Sequence, residues 1–305
     1  MTPTEPRQPD IPSEPRTVPV KTPLYQAIHS VRYQRQAVIR AIQGRTGRRL
    51  LCYVAGAEAP ISREDAIGFV DLLHNIHGPA PLELLLHTGG GDIDAAEKLI
   101  TMVRAKAGNE LLRVIVPDFA KSAGTLMVLG ADRVVMSDVS ELGPIDPQVI
   151  LADANGNRIR HSVLNYLDAF ETFSKNLQDK PDDVAAQIML KKLDPATVML
   201  FKAVKERARK CAEQQLKQGM FRDGGNWTLT VDELLDTKRW QSHGQMISWQ
   251  DATDAKIGLK VDYLPPDGTE WEGYWQLYCM QRLSINDRQK LFESDYVSLP
   301  IDSST

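Results

Sequence analysis

Two stretches of the sequence end an apolar, strand-like run in residue types that can do chemistry. The first, residues 84–92, runs through three leucines into His-Thr-Gly-Gly-Gly-Asp. Glycine lets a ligand approach the backbone closely, so N–H groups there can polarise a carbonyl. The second, residues 114–125, passes through a short loop to Ser122, which begins a helix of small residues. A helix N-terminus stabilises negative charge developing on such a hydroxyl or on a bound acyl oxygen.

Neither stretch, taken alone, is a specific sign of a catalytic site. A glycine-rich turn between strand and helix also cradles phosphate in many proteins, and a serine that begins a helix is commonly just its cap. The glycine string lacks the Gly-Lys-Ser/Thr ending of a phosphate loop. The two stretches lie about thirty residues apart on neighbouring predicted strands, and active sites form at such strand ends. Together they indicate nucleophilic attack on a carbonyl.

The elements that position these residues alternate between strands and helices. Continuous apolar runs separated by helical segments are typical of parallel strands buried on both faces. The sequence therefore predicts an α/β fold with parallel β-strands and crossover helices. The predicted strands cover residues 50–54, 82–87, 111–116 and 133–136, and the predicted helices cover 62–76, 93–105 and 122–129.

Composition divides the chain into three parts. Proline spacing predicts a disordered arm over 1–22, residues 23–264 are predicted to form the domain, and 265–305 a C-terminal extension. The domain begins with an amphipathic helix over 23–43 and contains a helical insertion around 161–220. Further predicted elements are a hairpin over 149–159 turning at Asn155-Gly156, helices over 161–178, 181–193 and 195–218, a helix over 249–257 and a strand over 259–263.

Charge and cysteine content restrict the partners. A net charge of −4 gives no broad attraction for phosphate backbones, so nucleic acid is not expected as a partner. No apolar run approaches the roughly 18 residues of a membrane span, so no membrane anchor is expected. Cys52, Cys211 and Cys279 form no CxxC pair, which favours reduced thiols and a cytoplasmic location.

Four segments resemble the serine dehydrogenase proteinase family, which belongs with signal peptide peptidase A and the Clp proteolytic subunit. They are Thr-Gly-Gly-Gly-Asp-Ile-Asp-Ala-Ala-Glu at 88–97, Lys-Ser-Ala-Gly-Thr at 121–125, Leu-Gly-Pro-Ile-Asp-Pro-Gln at 142–148 and Ile-Ser-Trp-Gln-Asp-Ala at 247–252. The resemblance covers about residues 24–264. It implies a ClpP/crotonase-like layered fold, a serine peptidase domain over 23–264 and a homo-oligomer, as a trimer, hexamer or ring.

The resemblance also implies roles for residues. Ser122 would be the nucleophile, and the N–H of Gly90 or Gly91 together with that of Ala123 would form the oxyanion hole. Gly89 stands where the family commonly has proline, which should loosen the turn without removing these donors. The implied activity is ATP-independent cleavage of peptides or unfolded protein segments through an acyl-enzyme. We expect no cofactor and no metal.

The general base is the open question, because a serine hydroxyl is a poor nucleophile without one. In the Clp subunit a histidine follows the serine by about 25 residues, and here Asp146 occupies that place. The Clp acid comes from the loop before the late helix, where this chain has His243. We therefore predict a triad of Ser122, His243 and Asp146, with histidine and carboxylate exchanged.

Other bases stay open. A serine–lysine dyad, as in signal peptide peptidase A, would use Lys175 in the following helix, and His161 is a further candidate. Lys121 adjoins the serine, but neighbouring residues point in different directions.

Two other functions also remain open. One is a crotonase-like acyl-CoA enzyme, which needs the paired N–H donors but no nucleophile. The other is a catalytically inactive oligomeric scaffold that has lost its base.

Overall fold

The computed structural model describes residues 21–152 and 156–303. All but the last two residues of the predicted proline-rich arm lie outside the described residues, and so does Asn155 of the predicted hairpin turn.

The strands follow in chain order along the described residues. They are β1 (Arg49–Ala55), β2 (Leu82–His87), β3 (Leu112–Ile115), β4 (Phe119–Ala120), β5 (Arg133–Met136), β6 (Glu141–Leu142), β7 (Gln148–Ala152), β8 (Arg158–Ser162), β9 (Val261–Tyr263), β10 (Gln289–Glu293) and β11 (Ser298–Asp302).

The helices alternate with the strands in the first half and dominate the second. They are α1 (Pro23–Ile28), α2 (Ser30–Thr46), α3 (Asp65–His74), α4 (Ile93–Ala107), α5 (Ala123–Leu129), α6 (Val163–Asp179), α7 (Val184–Lys191), α8 (Pro195–Gln218), α9 (Trp227–Leu235), α10 (Trp249–Thr253) and α11 (Thr269–Arg282).

A central sheet of seven strands has the order β11-β10-β1-β2-β3-β5-β9. The five strands from β1 to β9 are parallel, and β10 and β11 add an antiparallel edge beside β1. β2 is buried along its whole length. Successive residues of β1 enter two different hydrophobic clusters, Tyr53 on one face and Cys52 on the other, so helices cover both faces. The predicted α/β fold with parallel strands and crossover helices is confirmed.

The helical insertion has a small hydrophobic cluster of its own, and its α8 also joins the main core through Cys211, Ala212 and Leu216. The side chains of Val163, Leu167, Val198 and Phe201 form its own small cluster. Asp194 caps α8 by accepting a hydrogen bond from the Thr197 N–H at 2.7 Å, and Pro195 is the first helical residue. This is the start predicted from the sequence.

Two parts of the chain differ from expectation. The helix predicted over 23–43 is two helices, because the chain leaves helical geometry at His29 between α1 and α2. The segment 265–305, predicted as an extension, contributes α11, β10 and β11, and the two strands belong to the central sheet. Its strand pattern was hidden because Lys290 and Glu293 are charged yet buried, paired with Asp65 at 2.6 Å and Arg35 at 2.8 Å.

Within the described part of the chain, no helix combines the length and apolar character that crossing a bilayer requires.

Candidate active site

Ser122 occupies a strained turn between β4 and α5. Its backbone has φ 51° and ψ −115°, and it is the one non-glycine residue with positive φ in the described ranges. Such a conformation costs about 1–3 kcal/mol and persists only where the surrounding structure enforces it. Sharp strand-to-helix turns of this kind present a serine hydroxyl at the end of a sheet. The Ser122 hydroxyl has no hydrogen-bond partner among the described residues.

The glycine turn after β2 packs directly on Ser122. Gly90 has φ 99°, and a Cβ built on it would lie 2.9 Å from Ser122 Cβ and 2.8 Å from the Lys121 carbonyl oxygen. Gly91 has φ 152°, and a Cβ there would lie 2.4 Å from backbone atoms of Ile61. Both positions therefore require glycine for conformational and for steric reasons.

The three N–H groups predicted for the oxyanion hole differ in their hydrogen bonding. The Gly90 N–H donates to Thr88 Oγ1 at 3.1 Å. The Gly91 and Ala123 N–H groups donate to no other group in the described ranges. The Ala123 nitrogen lies 3.2 Å from the Cβ position of Gly90, so it adjoins the glycine turn. Two of the three predicted donors are thus free to bind an oxyanion.

His243 and Asp146, 97 residues apart in sequence, are joined by a hydrogen bond of 2.8 Å between His243 Nδ1 and Asp146 Oδ1. Asp146 is buried, and the His243 side chain is 21% exposed. Because a carboxylate only accepts hydrogen bonds, His243 Nδ1 is the donor of this bond, and in the neutral imidazole Nε2 is then the acceptor. This is the tautomer that a general base requires.

Short backbone contacts bring the two residues together. Leu142 and Ile247 exchange two N–H···O bonds of 3.0 Å each, which join the segment before Asp146 to the segment after His243. The Ile145 N–H also donates to the Leu234 carbonyl at 3.1 Å, which fixes the loop to α9.

His243 and the glycine turn line a common cavity of about 560 Å³. Its walls are the glycine turn 89–91, the segment 56–60, Gln148 and Ile150 of β7, and His243. Ser122 is not part of the lining, but it packs against Gly90, which is. No hydrogen bond joins Ser122 to His243 in the described structure, and catalytic hydrogen bonds are often formed only when substrate is bound.

The other candidate bases lie elsewhere. Lys175 is exposed on α6, and His161 lies in β8 opposite Val149 of β7. Neither residue lines the cavity that contains His243 and the glycine turn. Among the described residues, no group of three or more His, Cys, Asp or Glu side chains is arranged to hold a metal ion. Asp92 caps α4 by accepting from the Ala95 N–H at 2.8 Å.

Sequence reasoning missed two threonines that hold the site. Thr88 Oγ1 accepts from the Gly90 N–H, and Thr125 Oγ1 contacts the carbonyl oxygens of Ala120 and Gly143, each at 2.9 Å. Both threonines belong to the motifs quoted above, but nothing in their type or spacing indicates these contacts.

The ring of His87, the last residue of β2, is enclosed by aromatic side chains. Its centroid lies 4.1 Å from that of Phe119 and 4.9 Å from that of Tyr278. Burial, and secondarily the charge of Arg282, lowers the pKa of His87 to about 3, so the ring is neutral. The Tyr278 hydroxyl donates to Asp118 at 2.7 Å, and burial raises the pKa of Tyr278.

Two curated proteins of Methanocaldococcus jannaschii are similar in sequence. Uncharacterized protein MJ0137 is 28% identical over 190 residues, which is 61% of this chain and 55% of that protein. Uncharacterized protein MJ1495 is 26% identical over 191 residues, which is 54% of this chain and 65% of that protein. The chain therefore spans less than two thirds of the length of either relative.

Two solved structures are similar in part. A serine-to-alanine mutant of the 1510-N membrane-bound stomatin-specific protease aligns with TM-score 0.42 and 14% identity, covering 71% of this chain and 80% of that one. ClpP1 from Listeria monocytogenes aligns with TM-score 0.39 and 11% identity, covering 74% and 94%. Because these scores are low, they carry no conclusion about activity.

A family model described as ClpP-like SDH-type serine proteinase matches residues 28–238. The match covers more than half of the 305 residues and confirms the family that the four sequence segments predicted. The chain belongs to the ClpP-like SDH-type serine proteinases.

Proposed function

We propose that this protein is a serine peptidase that cleaves peptides or unfolded protein segments through an acyl-enzyme on Ser122, without an ATPase in the same chain. One observation carries the proposal: His243, hydrogen-bonded to Asp146, lines a cavity together with a glycine turn that packs on a strained serine. Membership of a serine proteinase family supports the reaction class. The substrate class follows from the sequence resemblance and stays a prediction.

In the proposed reaction, Ser122 Oγ bonds to the carbonyl carbon of the scissile peptide while its proton moves to His243 Nε2. The Gly91 and Ala123 N–H groups stabilise the oxyanion, and loss of one such donor costs about 10²–10³ in kcat. His243 then protonates the leaving amine. Water hydrolyses the acyl-enzyme with His243 again accepting a proton, and Asp146 keeps the imidazole in the required tautomer throughout.

The geometry favours this function over the two rivals. An acyl-CoA enzyme that uses only the paired N–H donors has no need of a serine held at φ 51°. An inactive scaffold that had lost its base has no need of a histidine aligned by a buried carboxylate. We also expect a homo-oligomer, as the family resemblance implies.

A fluorophosphonate probe tests the nucleophile. We expect the wild-type protein to be labelled and Ser122→Ala to be unlabelled, because the probe bonds covalently to an activated serine. Ser174→Ala, on α6, is the matched control and should label like the wild type. Equal labelling of Ser122→Ala and the wild type would reject the assignment of Ser122.

Peptidase rates separate the candidate bases. His243→Ala should lower kcat by about 10³-fold or more, and Asp146→Asn by about 10⁴-fold, because each disturbs the base or its tautomer. Lys175→Ala should leave the rate unchanged. If Lys175→Ala abolishes turnover while His243→Ala retains it, the serine–lysine dyad is correct and the triad is wrong.

A further inference from the structure

Lys121 directly precedes Ser122, and its ammonium group bonds to two other segments of the chain. Lys121 Nζ donates to the Leu142 carbonyl at 3.1 Å and to the Gln245 carbonyl at 3.4 Å. It also forms an ion pair with Glu141 Oε2 at 2.5 Å, and the lysine side chain is only 14% exposed. An ammonium has three N–H donors, so these contacts occupy all of them.

The two carbonyls belong to the segments that carry the proposed base and its carboxylate. Leu142 lies four residues before Asp146, and Gln245 lies two residues after His243. The same two segments are paired by the hydrogen bonds between Leu142 and Ile247. One ammonium group therefore bonds to both sides of this junction, while its own backbone continues directly into Ser122.

The path of the lysine stem is closely packed. A Cβ built on Gly143 would lie 2.9 Å from Lys121 Cδ, so the stem runs where any larger residue would place its side chain. The Gly143 carbonyl accepts from Thr125 Oγ1 at 2.9 Å, which ties the same loop to α5. The lysine is therefore held along its stem as well as at its ammonium group.

We infer that Lys121 is a positioning residue, which fixes the His243–Asp146 pair relative to Ser122 by holding both loop segments with one ammonium group. The inference rests on the catalytic roles proposed for these three residues. Lys121 acts through them and transfers no proton itself. A displacement of about 1 Å in a catalytic group can cost about 10²-fold in rate, so a contact of this kind affects turnover more than binding.

The test compares Lys121→Met, which keeps a stem of similar length but removes the three donors, with Lys191→Met. Lys191 is an exposed residue at the end of α7 and receives the same substitution. We expect Lys121→Met to lower kcat and the fluorophosphonate labelling rate by about 10–100-fold, with KM changed by less than about threefold. Lys191→Met should match the wild type in all three measurements.

Proton NMR supplies a readout that is independent of turnover. The His243 Nδ1 proton bonded to Asp146 should give a downfield resonance, assigned by its absence in His243→Gln. We expect this resonance to shift or disappear in Lys121→Met and to remain in Lys191→Met. A wild-type labelling rate together with an unchanged resonance in Lys121→Met would overturn the inference.

A second variant covers the case in which Lys121→Met does not fold. Gly143→Ala displaces the lysine stem while keeping its charge, so it should slow labelling and shift the resonance. If neither measurement changes in Gly143→Ala, the inference is wrong. If the wild type is not labelled but the resonance is lost in Lys121→Met, the proposed peptidase function fails while the positioning of the pair stands.

Discussion

His87, at the end of the strand that carries the glycine turn, makes the folding stability of the protein depend on pH in the acidic range. In the folded state its pKa lies near 3, whereas an unfolded histidine titrates near 6.5. Between these values the unfolded chain binds one more proton than the folded protein, so folding stability falls as the pH falls. The contribution of the neutral ring to folding stability is fully present above pH 6.5 and is lost progressively as the pH falls below this value.

His87→Phe keeps a ring between Phe119 and Tyr278 but removes the titration. We expect the free energy of unfolding to depend less steeply on pH between 6.5 and 4, by up to about 1.4 kcal/mol per pH unit. Urea unfolding at several pH values measures this slope. His77→Phe, the same substitution at an exposed position, is the control. An unaltered slope in His87→Phe would show that the buried ring is not neutral in the folded state.

Several candidate site residues could be proposed from the sequence by type, because a glycine string and a serine at a helix start are local patterns. It also suggested the pairing of Asp146 with His243, and their hydrogen bond is present, although their catalytic roles stay predictions. The contact of Thr88 with the Gly90 N–H was not predictable, because it depends on one side-chain rotamer. The contact between Lys121 and Gln245 joins loops 124 residues apart, and no local pattern reports it.

The glycine turn after β2 contains two neighbouring positions with opposite requirements. Gly89 has no positive φ, its N–H donates to no group in the described structure, and a Cβ built on it meets nothing within 4 Å. Gly90, the next residue, has φ 99° and no room for a Cβ. A side chain therefore has room at the first position and not at the second.

Gly89→Pro should raise the free energy of unfolding by about 0.4–1 kcal/mol, because it restricts the unfolded chain and removes no N–H hydrogen bond. Peptidase activity should be retained. Gly90→Ala should destabilise the protein by about 1–3 kcal/mol and lower kcat by at least about 10²-fold, because the new Cβ displaces Ser122 or the Lys121 carbonyl. Denaturant unfolding and peptide hydrolysis measure both. A fully active Gly90→Ala protein would contradict the close packing of Gly90 on Ser122.

At the level of elements, the strands with continuous apolar runs were predictable, and β2 and β5 have the predicted bounds. The ends of helices were less predictable. The helix predicted over 249–257 corresponds to α10, which ends at Thr253 because Asp254 leaves helical geometry. α9, α11, β10 and β11 were not predicted. In β10 a local apolar pattern is absent, since its buried charges are satisfied by residues far away in sequence.

Across the whole molecule, the C-terminal segment is part of the sheet and supports one wall of the cavity. The Gly56 N–H donates to the Gln289 carbonyl at 2.8 Å, which attaches the segment 56–60 to β10. Lys290 pairs with Asp65 at 2.6 Å, and its ammonium also donates to Ser62 Oγ at 3.1 Å. Both partners of the ion pair are almost fully buried.

Lys290→Met should lower the free energy of unfolding by about 3–5 kcal/mol, because it leaves the Asp65 carboxylate buried without its counter-charge. Arg288 lies two residues before Lys290 and forms an exposed ion pair with Glu58. Arg288→Met removes this pair and should lower the free energy of unfolding by at most about 1 kcal/mol. Urea unfolding of the two variants gives the comparison. Equal losses would show that burial of the Lys290 pair has no energetic consequence.

The antiparallel pairing of β1 with β10 also bears on how the protein is made. Cys52 of the first strand pairs with Glu293, so the ribosome must add about 240 residues, taking about 12 to 48 s, before this partner emerges. During that time the nascent β1 has an unpaired edge, which is prone to association with other chains. Because the Gly56 N–H donates to the Gln289 carbonyl of β10, the segment 56–60 that lines the cavity also gains this support only after β10 has been synthesised.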